Sequence, residues 1–140
     1  MGVAAAIDCL AGFDRASVDG VFFASTTYAL REKQAAALVA KALDLRRDVQ
    51  TSDHAGSLRA GTAALESALH AVAAGALRNV LVVATDCRMG APRGALEAKL
   101  GDGAVAFLID DAPIARFEAS AALTDELQDL WRIELSLIHI

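Results

Sequence analysis

Aromatic residues make up only 5% of the 140-residue chain, and its two cysteines, Cys9 and Cys87, stand far apart. Neither cysteine sits in a CxxC or Cys/His pattern, so a zinc site is not expected and the thiols read as reduced, cytoplasmic ones. Runs free of Asp, Glu, Lys and Arg, such as residues 67–77, fall well short of the roughly 20 residues that a membrane-spanning helix needs. The chain therefore reads as soluble, with no membrane partner. A net charge of -5 with scattered Lys and Arg gives no basic stripe, which argues against a nucleic-acid partner. The start shows no basic segment followed by an apolar one and a cleavage site, so secretion is not indicated. GxGxxG and GxxxxGK[ST] are both missing, and "GAPRG" and "GDG" do not open helices; these glycines read as turns rather than a phosphate cradle.

What is present is alanine and valine. Hydrophobic residues reach 55% and the mean hydropathy is +0.39, which suggests elements buried on more than one side. The length suits one domain with a substantial core. The chain opens with a helical piece, "AAAIDCLAGFDR". After a turn at Asp19 and Gly20, the spacing predicts a strand over 21–25. A helix over 31–43 follows, with Ala35, Leu38, Val39 and Ala42 on one face. "RDVQTS" reads as a short strand. A second helix is predicted over 57–74, with Leu65, Leu69, Val72 and Ala76 as one stripe and alanines around the rest. Only Glu66 and His70 interrupt it, so it should be buried nearly all round, with Gly75 as its stop. "NVLVVAT" has the continuous apolar character of a central strand covered on both faces. A turn at the "GDG" glycines leads to a strand over 104–109; "IARFEAS" suggests another strand and "LTDELQDLW" a helix. Strands alternating with helices imply an α/β class with a mixed, mainly parallel sheet and a buried central helix.

The candidate chemistry lies between residues 52 and 87. A nucleophile at a helix N-terminus gains from the dipole and from free backbone N–H groups. The side chains available there include His54, Ser57, Leu58, Arg59 and Thr62. Ser57 with His54 as base would make an activated hydroxyl, although helix capping is the commoner use of such a serine. Leu58 can do no chemistry. Cys87, just past a core strand, is a possible thiol nucleophile, against the ordinary reading of a free cysteine as a small hydrophobe. Asp86 and Asp102 fit a polar pocket or plain turns.

The segments "VDGVFFASTT", "AGTAAL", "NVLVVATD", "GAPRGALE" and "GDGAVAFLI", in this order and spacing, resemble the thiolase superfamily. The resemblance is to its 3-hydroxy-3-methylglutaryl-CoA synthase-like branch and, more distantly, to ketoacyl-ACP synthases of the third type. It covers residues 18–111. It implies a layered α/β fold of two similar halves, of which this chain is most of the first, and homodimerisation or a thiolase-fold partner subunit. It implies acyl-CoA as substrate, Claisen-type condensation or acyl transfer, and no metal or redox cofactor. In the family a cysteine at the start of the buried helix takes the acyl group, a glutamate after the early strand acts as acid or base, and a histidine and an asparagine of the second half complete the site. Aligned on those motifs, Leu58 stands at the cysteine position and Thr26 at the glutamate position.

Two functional expectations follow. One is a piece of an acyltransferase or condensing enzyme, inactive alone, that would need Ser57, Cys87 or His54 in place of the missing groups. The other is a non-catalytic thiolase-fold subunit that binds acyl-CoA. For organisation, residues 1–134 are expected to form a partial N-terminal domain. Residues 135–140, "LSLIHI", resemble one reading frame of a sequencing adaptor and are expected to be non-native.

Overall fold

The computed structural model describes residues 1–30, 32–90 and 92–126. Helix α1 (Gly2–Cys9) and a short 3-10 turn (Arg15–Ser17) lead into strand β1 (Gly20–Ala24). Then come α2 (Ala35–Ala42), β2 (Gln50–His54), α3 (Ala60–Ala73), β3 (Val80–Asp86) and β4 (Gly103–Ile109). The strands form one sheet in the order β2-β1-β3-β4. β1 is parallel to both β2 and β3, whereas β4 runs antiparallel to β3.

Strand alternation sorts the side chains into two cores. Val21, Phe23, Leu81 and Val83 point to the face covered by α1 and α2, where Leu10, Val18 and Leu43 complete the packing. Phe22, Ala24, Val80 and Val82 point to the other face, under α3, and meet Ala60, Ala64 and Ala68. Those alanines recur every fourth residue, and their small size lets the helix lie close to the sheet. Gly75 ends α3 as expected: at φ +69 it donates to the Val72 carbonyl while Ala76 donates to that of Ala71, the paired bonds of a Schellman stop.

The connection leaving β1 leads to β2 on one side, and the one leaving β3 leads to β4 on the other. Between them the chain crosses β1 by way of α3. That reversal leaves a crevice at the C-terminal ends of β1 and β3, the usual place for a ligand in an open α/β sheet.

Several expectations are corrected. The second predicted helix starts at Ala60 rather than 57, because residues before it form turns. It is not buried all round: Ala64 and Ala68 are fully covered, Leu65, Leu69 and Val72 half-buried, and Ala63 and Ala73 exposed. A single sheet covers one side of a helix, and an alanine-rich sequence does not reveal which side. On α2 the buried stripe is Ala35, Ala36, Val39, Ala40 and Leu43, whereas Leu38 is 41% exposed and Ala42 is also outside. The rotation follows from Asp53 on β2, whose carboxylate accepts from the N–H groups of Ala35 (2.6 Å) and Ala36 (2.8 Å) and so fixes which side of the helix start faces the sheet. Residues 114–120 form bends and irregular backbone rather than a strand, and no strand among the described residues pairs with them. Residues 123–126 of the predicted final helix are likewise irregular, and its remainder, with residues 135–140, lies outside the described residues.

Candidate functional site

Ser25, Thr26 and Thr27 directly follow β1, and β3 ends in Asp86. The two ends lie side by side, and the Asp86 carboxylate gathers the first one. Its Oδ1 accepts from the Ser25 hydroxyl (3.0 Å), the Thr26 N–H (2.6 Å), the Thr27 N–H (3.1 Å) and the Thr27 hydroxyl (3.0 Å). Its Oδ2 accepts from the Thr26 hydroxyl at 2.9 Å. Return bonds tighten the junction: Thr27 N–H also donates to the Ser25 hydroxyl, and Cys87 N–H to the Thr27 hydroxyl. The Arg88 guanidinium donates to the Thr26 hydroxyl at 2.8 Å and stands 3.9 Å from Asp86. Partial burial pushes the Asp86 carboxyl up, but the bonds from Thr26, Ser25 and Thr27 favour the anion and together hold it below the usual carboxylate range.

Beside this junction lies an open cleft of about 390 Å³, bounded by the ends of β1 and β3, the start of α3 and the start of β4. Ser25, Thr26, Leu58, Gly61, Thr85 and Asp86 line it, with small apolar residues between them. Leu58 is 65% exposed at its lip. The two positions that the resemblance assigns to the acid or base and to the nucleophile thus share one cleft, and they hold Thr26 and Leu58. The Thr85 hydroxyl donates to the Gly103 carbonyl, so each lining hydroxyl already donates to an acceptor of the chain.

The other candidates stand apart. Ser57 is not among the cleft-lining residues; its hydroxyl accepts from the Arg59 N–H at 3.1 Å, a local turn that precedes the helix. His54 closes β2, tilted against the Phe22 ring, with the Ser52 hydroxyl 3.4 Å from its Nε2. It makes no bond to Ser57 among the described residues. Cys87 is exposed, and a hydrogen bond to the Asp102 carboxylate, together with its negative charge, pushes the thiol up and keeps it protonated, the opposite of activation. Burial raises the Cys9 thiol as well. Asp86 and Asp102 thus have partners that the turn reading did not supply. The only sequence signal for the Asp86 junction is the hydroxyl-rich "STT" ending one strand and the aspartate ending another.

A larger recess of about 460 Å³ lies at the opposite end of the strands, around Asp19, Arg46, Asp48 and Arg78. Its polar groups engage one another, as in the Arg46–Asp19 ion pair at 3.0 Å, and it holds none of the candidate residues.

The parallel strands with an antiparallel fourth, helices on both faces and a crevice at the strand ends define a thiolase-like layered fold. Solved structures agree. MvaS in complex with 3-hydroxy-3-methylglutaryl coenzyme A matches with TM-score 0.72 and 28% identity, covering 79% of this chain and 27% of that one. The priming beta-ketosynthase from the R1128 polyketide biosynthetic pathway matches with TM-score 0.70 and 31% identity, covering 77% and 34%. Among curated proteins, the hydroxymethylglutaryl-CoA synthase of Archaeoglobus fulgidus is 31% identical over 125 residues, 89% of this chain and 36% of that protein. That of Methanocaldococcus jannaschii is 30% identical over 125 residues, again 89% and 36%. No family model matches the chain. The sequence matches the hydroxymethylglutaryl-CoA synthase branch of the thiolase superfamily, and the chain spans about a third of the length (36%) of such relatives.

Proposed function

We propose that this chain supplies an acyl-thioester-binding cleft to a hydroxymethylglutaryl-CoA synthase-like protein and does not itself take up the acyl group covalently. One observation carries the proposal: Thr26 and Leu58 meet in the cleft at the ends of β1 and β3, and no thiol lines it among the described residues. A leucine cannot form the acyl intermediate, and a threonine hydroxyl that donates to Asp86 is a poor acid or base for substrate. The acyl-CoA ligand is proposed from the relatives, one of which was solved with 3-hydroxy-3-methylglutaryl coenzyme A.

Intact-mass measurement after incubation with acetyl-CoA is expected to show the unmodified 140-residue chain, and coupled assay is expected to show no condensation. An acetyl adduct lost in Ser57→Ala or Cys87→Ala would refute this and favour the second reading, a condensing enzyme with a substitute nucleophile. That reading draws its support from the relatives, which are named as synthases.

We also propose a second copy or a thiolase-fold partner against the uncovered side of β4, where Phe107 is 48% exposed. Light scattering is expected to show self-association, and a monodisperse monomer would count against it. The cytoplasmic setting is proposed on the two free thiols. No described helix is long and apolar enough to cross a membrane.

A further inference from the structure

We draw no further inference here: the strongest candidate, the N-terminus of α3 where Ala60 and Gly61 line the cleft beside the exposed Arg59, belongs to the site already described, and among the described residues no buried polar side chain without a partner lines that cleft.

Discussion

The two ends of the parallel strands use the same device for different outcomes. At the N-terminal end, Asp19 accepts from the N–H groups of Arg78 (3.1 Å) and Asn79 (3.3 Å) and from the Arg46 guanidinium (3.0 Å). At the C-terminal end, Asp86 accepts from two backbone N–H groups and three hydroxyls. Each carboxylate ties the loop of one strand to the neighbouring strand about sixty residues away in sequence. The difference is in the donors. Arg46 is a long, partly exposed cation beside Asp19, so the recess at that end is lined by paired charges. Around Asp86 the donors are two backbone N–H groups and three short hydroxyls, with Arg88 at 3.9 Å, and the cleft beside them has a largely apolar lining. A carboxylate satisfied by short neutral groups can hold two strand ends together without filling the cleft between them.

The largest effect is expected at Asp86. Asp86→Ala removes the acceptor for five donors at once and should destabilise the fold by about 3 kcal/mol in urea or thermal unfolding. A loss below about 1 kcal/mol would show that water replaces the carboxylate at little cost. The pH dependence has a definite sign. The carboxyl is lowered in the folded state, so its contribution is fully present above the unfolded value of about 3.9 and is lost as the pH falls through the folded value. Unfolding curves from pH 7 down to pH 3 should therefore fall less steeply in Asp86→Asn than in the unaltered chain. Equal slopes would mean that the hydroxyls do not favour the anion.

At the other end, Asp19→Ala is expected to cost less, about 1–2 kcal/mol, because it accepts from fewer donors and one of them, Arg46, turns readily to water. A cost at Asp19 equal to that at Asp86 would erase the distinction between a charge-paired end and a hydroxyl-bound one. Both variants should keep the same sheet, as far-ultraviolet circular dichroism would show.

The contrast was only half legible in the sequence. β1 and β3 announce themselves as "GVFFA" and "VLVVATD", apolar strands covered on both faces, and together with the helix between them they fix the parallel core. The resemblance of ordered short motifs placed Thr26 and Leu58, and the structure brings both to one cleft. What local pattern could not show is pairing over distance. Asp86 fits a polar pocket or a plain turn until Ser25, Thr26 and Thr27 come beside it, and Asp53 carries no signal of its own until it caps α2. Alanine hides helix rotation for a related reason: every side of α2 and α3 is small enough to pack, so the caps and the strands beneath decide which side does. α3 is less buried than its apolar sequence suggests, because apolarity reports what a surface can bury, not what lies against it.

Arg46→Ala should have the smallest effect and separates the two ends most finely. Arg46 pairs with Asp19 at 3.0 Å and Asp48 at 3.5 Å, but its side chain is 40% exposed and that of Asp48 is 73% exposed. Exposed pairs of this kind gain little because water solvates both partners and salt screens them, so a loss of about 0.5 kcal/mol or less is expected, vanishing at high salt. The Arg46 guanidinium also donates to the Val18 carbonyl at 3.3 Å, which water can satisfy equally well once the side chain is gone. If the loss instead approaches that of Asp19→Ala and persists in salt, the cation is integral to holding that end together. Asp19 would then be half of a functional pair rather than an acceptor for backbone N–H groups. If the loss is small, the backbone donors of Arg78 and Asn79 hold the N-terminal end by themselves, and the two ends differ in their decoration more than in the carboxylate that binds each one.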